Sequence, residues 1–297
     1  MASTPTFLNE KALARNEVRE RTIALLLCIP AFAVIFVVVF LPVGWLSWLS
    51  LFDDAGQLSW QNYERLFAQA SYLRTFKTTF EISALVTIAC VVMGYPLAYL
   101  LTQLPQRVAN VGLALVLLPF WTSVLVRTYA WLVILQRNGL VNDWLLALGL
   151  IGSPLQLVHN RLGVVIGMSH ILLPFLVLPL FAAMRSIDRD LLRAALNLGA
   201  TPRGTFWQVF FPLSLPGLLA GVVLVFVLCL GFFVTPALMG GGRVVMWAMR
   251  MESTVSLYAN WGAASALGVI LLLVTLLCLT IFVKVFGLGR LVGRGLA

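Results

Sequence analysis

Six stretches of 19 residues or more carry no Asp, Glu, Lys or Arg: Thr22–Phe52, Ile82–Gln106, Val108–Val126, Leu162–Met184, Gly204–Gly242 and Ser253–Val283. A helix needs about 20 mostly apolar residues to cross about 30 Å of hydrocarbon, and each stretch holds such a segment. The pattern predicts an all-α membrane protein with six transmembrane helices, at Thr22–Trp45, Thr79–Leu101, Val108–Leu135, Leu162–Met184, Leu213–Leu238 and Ala263–Phe286. Composition agrees. With 61% hydrophobic and 10% charged residues among 297, the chain carries more apolar surface than a soluble core hides, since soluble domains hold roughly 25% charged residues.

Trp144–Asn160 is the rival for a seventh crossing, but its apolar part stops at Ile151, ahead of Gly152-Ser153-Pro154. It is too short to cross and reads as an interfacial helix. The first apolar region exceeds the roughly 7–15 residues of a signal-peptide core, so it is expected to stay as an anchor. Six crossings put both termini on one side. Summed over alternate segments, that side holds twelve Lys and Arg, including Lys11, Arg15, Arg19 and Arg21 before the first span, against seven on the other. The excess predicts cytoplasmic termini. The expected organisation is a cytoplasmic tail at 1–21, one six-helix transmembrane domain at 22–286 with a cytoplasmic loop at 185–212, and a cytoplasmic tail at 287–297.

Several function classes drop out. The net charge of +9 is spread over short inter-span segments rather than a continuous stripe, so it speaks for membrane orientation and not for nucleic acid. Cys28, Cys90, Cys229 and Cys278 lie inside apolar runs without CxxC spacing, which suits packing better than a metal site or disulfide framework. His159 and His170 have no partner at metal-site spacing. None of the three lysines, Lys11, Lys77 and Lys284, follows a glycine, so no Walker A loop is present and any ATP hydrolysis must belong to another subunit. The chain is thus expected not to be an enzyme. A gradient-driven transporter usually places acidic or polar coupling groups at mid-membrane, often in repeated halves, and the spans show neither.

The segment between the fourth and fifth spans is built as a hook. Asp188 can cap a short helix in which Leu191, Leu192, Ala195 and Leu198 recur at helical spacing, and Gly199 supplies a stop. Thr201 and Pro202 restart the chain as cap and first helical residue, and Trp207, Phe210 and Phe211 lead to Pro212. An apolar stripe held outside the membrane calls for a partner or for the headgroup layer.

Arg193-Ala194-Ala195-Leu196-Asn197-Leu198-Gly199-Ala200, followed by Val209-Phe210-Phe211-Pro212 and Leu215-Pro216-Gly217, resembles the EAA loop of binding-protein-dependent ABC importer permeases. Arg193 stands where that family has Glu, and Phe211 where it has Leu. Phe120 to Trp131, Asn138-Gly139 and Phe232 to Gly241 further resemble the spermidine/putrescine branch. The resemblance implies the type I importer (MetI-like) permease fold and a role as half of the translocation path for a small polar or cationic solute. It implies as partners two copies of a cytoplasmic ABC ATPase, which bind ATP and Mg, a second permease, in this branch a different one, and a periplasmic solute-binding protein. No cofactor is implied for this chain. Asp190, Leu192, Arg193, Ala194, Ala195, Leu198, Gly199, Ala200 and Pro212 are then the expected ATPase-coupling residues.

Ionisable groups in hydrocarbon are costly and functional by default. Glu81 and Arg127 fall within the expected spans at similar depth, where they are placed to pair, to line the solute path or to anchor at the interface. Pro119 should kink the third span, and Trp121, Thr122 and Tyr129 beyond it suit a cationic or polar solute as well as helix packing. Pro174, Pro179, Pro216 and Pro236 mark expected bends, and the glycine-ended stretch Phe232–Gly242 reads as a mobile loop on the outer side.

Overall fold

The computed structural model describes residues 6–53 and 56–285. The described chain opens with α1 (Thr6–Ile35), a π turn (Phe36–Phe40) and α2 (Leu41–Leu49), which hold the first span at Leu25–Leu49. Next come α3 (Gln61–Ala68), α4 (Ala70–Gln103), α5 (Gln106–Leu117), a 3₁₀ turn (Leu118–Trp121), α6 (Val124–Leu135), α7 (Leu140–Ala147) and α8 (Arg161–Arg185). The hook follows as α9 (Arg189–Asn197) and α10 (Pro202–Thr205), then a second π turn (Phe206–Phe210) and α11 (Phe211–Leu230). Past these lie α12 (Val234–Met239), α13 (Trp247–Ser256) and α14 (Trp261–Val285). The tail at 287–297 and Phe286 lie outside the described residues.

The core is the bundle of α4, α8 and α11. Ile82, Val86, Cys90 and Ala98 of α4, Met168, Leu172, Leu176 and Leu180 of α8, and Val225 and Cys229 of α11 are fully buried in one cluster. Lipid tails are as apolar as leucine, so helices in a membrane associate through close packing rather than hydrophobic expulsion. The seam between α8 and α11 shows how. Gly217 and Gly221, four residues apart, lie flat on α8: a Cβ at Gly217 would sit 2.3 Å from Ala183 Cβ and 2.9 Å from the Pro179 carbonyl oxygen, and one at Gly221 would sit 3.0 Å from the Leu176 carbonyl oxygen. Gly94 plays the same part for α4 against Leu176.

Long-range contacts fix the relative direction of α4 and α8. At one end of the bundle Arg161 of α8 meets Glu81 of α4 at 2.9 Å. At the other end Arg185 bonds Gln106, and Arg189 donates to the Thr102 carbonyl at 3.2 Å. α4 and α8 therefore run the same way, and the chain between them must cross once. It does so progressively: Gln106 lies level with Arg185, Phe120 stacks edge-on against Phe175, and Trp131 reaches His170. The expected third span is present but is not the continuous kinked helix Val108–Leu135. The two halves, Gln106–Trp121 and Val124–Ala147, meet at 97°. Pro119 opens a 3₁₀ turn, Thr122 turns extended, and both the amide and the hydroxyl of Thr122 donate to the Pro119 carbonyl, at 3.1 and 2.7 Å. Five unbroken spans and this bent one give up to six crossings.

The other expectations shift at their edges. The second span starts at Ala70, nine residues before Thr79, because the polar first turns of α4 pack against α3 and α13, with Thr79 Oγ1 accepting from the Trp247 amide at 2.8 Å. The helix that holds the fifth span runs Pro202–Leu230 instead of Leu213–Leu238. Pro212 is not its boundary. Both π turns end two residues before a proline, Pro42 and Pro212, and each closes an i→i+5 bond, Leu41 to Phe36 and Phe211 to Phe206. Widening the turn makes room for a ring that would otherwise strike the preceding turn. Pro236 lies in α12 and marks no bend of the span. Nor is Phe232–Gly242 an open loop: Thr235, Pro236 and Met239 are buried, Met239 lying against Gly167 and Thr235 bonded to Thr128. Trp144–Asn160 holds no helix long enough to cross, nor the expected interfacial helix: only its first four residues are helical, as the end of α7.

Candidate functional site

The hook is specified by local chemistry. Asp188 accepts from the Asp190 amide at 2.9 Å and caps α9. At the far end Gly199 takes φ +89°, and the Gly199 and Ala200 amides return to the carbonyls of Leu196 and Ala195 at 3.0 and 3.1 Å. That paired closure is a Schellman motif, and the left-handed residue in it favours glycine. Thr201 then accepts from the Gly204 amide at 3.1 Å and caps the return arm. The return arm is continuous with the fifth span, so the hook hangs from α8 by a short turn and from α11 by an unbroken helix.

The apolar positions of α9 divide. Leu192 turns inward and packs against the core. Leu191 and Leu198 point away from the bundle, Leu198 at 88% exposure, with Ala194 exposed between them and Ala195 half-buried. Ala194 offers no bulk, so a partner surface could reach the helix backbone there. Arg193 is occupied within its own helix by Asp190 at 3.0 Å. Both side chains are largely exposed, and such pairs contribute only roughly 0.2–1 kcal/mol, so Arg193 is readily released. Thus Asp190, Leu192, Arg193, Ala194, Ala195, Leu198, Gly199 and Ala200 fall on one element, and Pro212 lies in the helix that carries it.

Sequence reasoning missed the collar that grips the hook. Tyr95 and Tyr99 of α4 meet Phe206, Phe210 and Phe211 at ring-centroid distances of 5.2–6.4 Å, and the Tyr95 hydroxyl bonds Ser214 Oγ at 3.0 Å. The tyrosines were a readable signal, four residues apart on one helix face, but their partners lie more than 100 residues away.

The expected solute-path residues do not converge. Glu81 pairs with Arg161, and with Lys77 at 3.9 Å, rather than with Arg127. It pins α4 to α8 at the end opposite the hook. Arg127 is turned into the protein, 9% exposed, and its Nε and one terminal nitrogen find no acceptor among the described residues. Trp121, Thr122 and Tyr129 face outward, Trp121 at 86% exposure. At 100° per residue, Tyr129 lies on nearly the opposite side of α6 from Arg127. His170 accepts from the Trp131 indole at 3.1 Å and serves packing.

Comparison with known proteins adds the following. The family described as binding-protein-dependent transport system inner membrane component matches residues 14–289. The spermidine/putrescine transport system permease protein PotB of Haemophilus influenzae is 35% identical over 75% of this chain and 77% of its own length. PotB of Escherichia coli is 34% identical over 74% of this chain and 80% of its own. The molybdenum transport system permease protein ModB of Mycobacterium bovis is 29% identical over 74% and 82%. Among solved structures, a bacterial alginate ABC transporter in complex with alginate pentasaccharide-bound periplasmic protein has a chain of the same fold, with a TM-score of 0.71 at 17% identity over 90% of this chain and 94% of that one.

Proposed function

Because the chain belongs to the binding-protein-dependent transport system inner membrane components, we propose that its hook, residues 188–211, is the handle by which separate ATPase subunits move the spans. The chain is a multi-pass permease subunit of an ABC importer in the inner membrane. The carrying observation is the outward pair Leu191 and Leu198, held off the bundle on a capped helix. Exposed apolar side chains on a polar-side element mark an interaction surface. In this reading α9 seats in a cleft of a cytoplasmic ABC ATPase, one of two copies that bind ATP and Mg. Closing of the ATPases pushes the hook, and the glycine seam of α8 and α11 passes the movement across the membrane. The termini are cytoplasmic, in keeping with the basic excess on that side.

The outward face of α5 and α6, with Trp121, Thr122 and Tyr129, lines the solute path together with a second, different permease chain, and a periplasmic binding protein delivers the solute. Exposed aromatic faces suit a cation, and the PotB relatives are described as transporting spermidine and putrescine. The solute proposed is therefore a polyamine. Glu81 holds the far end of the bundle and takes no part in the path.

The test is uptake of labelled spermidine into proteoliposomes that hold both permeases and the ATPase, with binding protein outside. ATP enclosed in the vesicles should drive accumulation. Accumulation driven by a proton or sodium gradient in vesicles holding this chain alone would defeat the reading.

A further inference from the structure

Beneath the hook lies a cavity of about 690 Å³ between the α4–α5 turn and the inner side of α9. Three arginines stand at it: Arg185, Arg189 and Arg193. Their partners are unequal. Arg193 has the Asp190 carboxylate, but Arg185 bonds only the amide oxygen of Gln106, and Arg189 only the backbone carbonyl of Thr102. Neither has a carboxylate within ion-pair distance among the described residues. Gln106 is itself held, donating to Asn110 at 2.8 Å, so it supplies one oriented oxygen and no charge. Two guanidinium groups thus lean into one hollow with neutral oxygens alone to meet them.

The lining between the arginines is different in kind. Met184 and Phe210, buried, and Leu192, half-buried, form an apolar floor. Depth is set by the covalent frame, since Thr102 lies in the last turn of α4 and Arg185 ends α8. A charged rim over an apolar floor, at the level where spans leave hydrocarbon, matches an anionic phospholipid: phosphate on the rim, glycerol and first methylenes on the floor. Basic pockets between helix ends are the usual seats for such headgroups. Orientation across the bilayer calls for basic residues on this side, but it does not call for three of them to share one cavity.

We propose that this cavity binds the headgroup of an anionic phospholipid through Arg185 and Arg189, with Arg193 joining when it leaves Asp190. The lipid ties α9 to the α4–α5 turn and so sets how stiffly the hook is held. A guanidinium pair suits phosphate because each offers parallel N–H donors. An acidic protein segment would meet the same charges, but it has no use for a floor of this shape at headgroup depth.

The experiment uses the whole transport complex, purified in mild detergent and moved into phosphatidylcholine nanodiscs carrying a minor fraction of phosphatidylglycerol. Retained lipid is counted by native mass spectrometry. Wild type should keep phosphatidylglycerol in preference to phosphatidylcholine. The double variant Arg185→Gln/Arg189→Gln should bind it about thirtyfold more weakly, from the loss of two basic groups at a membrane surface. Arg243→Gln, a basic residue remote from the cavity, should match wild type. Arg189→Lys, which keeps the charge and perturbs folding least, should retain the lipid even if the double variant proves unstable. Equal retention of both lipids by wild type, or undiminished retention by the double variant, overturns the proposal. So does loss of the ATPase subunit from the double variant with lipid still bound, which would assign the cavity to an acidic protein segment.

Discussion

Replacing Gly217 and Gly221 by alanine should separate α8 from α11 and uncouple the hook from the far side of the bundle. An alanine Cβ at position 217 would lie 2.3 Å from Ala183 Cβ, and at position 221 3.0 and 3.1 Å from the carbonyl oxygen and Cα of Leu176. Carbon pairs rest at about 3.5–4.0 Å, so the first contact is short by more than about 1 Å. Two of these neighbours are backbone atoms, so no rotamer change relieves them and the helices must part. A radial gap of about 1 Å forfeits up to half of the dispersion energy of the atoms it separates, and overpacking costs about 1–3 kcal/mol per site. Both sites share one seam and will not add simply, which puts the double variant roughly 2–5 kcal/mol below wild type. The assay is thermal unfolding of the purified complex, together with solute-stimulated ATP hydrolysis. Gly44→Ala is the matched control, since nothing lies within 4 Å of its Cβ position. The double variant should melt earlier and lose stimulation, while the control does neither. A double variant that melts with wild type and keeps full stimulation would refute the seam as the transmitting contact.

Other expectations follow from single positions. Gly199→Ala forces an L-residue to φ +89° and should destabilise the hook by about 1–2 kcal/mol, seen as faster proteolysis between α9 and α10 with the spans intact. Leu198→Asp puts a charge on the outward stripe; the permease should stay folded but cease to copurify with its ATPase, and retained ATPase would remove Leu198 from the contact. Arg127→Met relieves a buried, incompletely bonded guanidinium; the melting temperature should hold or rise, as buried charges replaced by apolar groups often allow, and a clear fall would contradict this reading. Glu81→Gln breaks a partly exposed ion pair and should cost roughly 1 kcal/mol or less with spermidine uptake preserved.

Six crossings were readable because hydrocarbon tolerates neither charge nor unbonded backbone, and both demands are written residue by residue along the chain. The hook was readable for a similar reason: Asp188, Gly199 and Thr201 act on amides within five residues of themselves. What escaped is set by contacts across the fold. Arg161, 80 residues from Glu81, claimed the carboxylate expected for Arg127. Thr128 and Gly167 buried a stretch that read as an open loop. Pro212 looked like a boundary because the π turn that absorbs it has no sequence signature of its own. The spacing of Gly217 and Gly221, by contrast, was visible in the chain, and its meaning lay in the helix it would touch. Trp121 and Tyr129 carried no legible partner, since among the described residues both side chains face outward.

Coupling of the spans to ATP hydrolysis depends on what the outward side of α9 touches. A photocrosslinking amino acid at Ala194, exposed between Leu191 and Leu198, can be activated in membranes that contain the assembled importer. The principal adduct should be with the ATPase subunit, and its yield should change when a non-hydrolysable ATP analogue is added. Adducts with lipid alone, at a yield indifferent to nucleotide, would contradict the assignment of the hook as the ATPase's point of purchase.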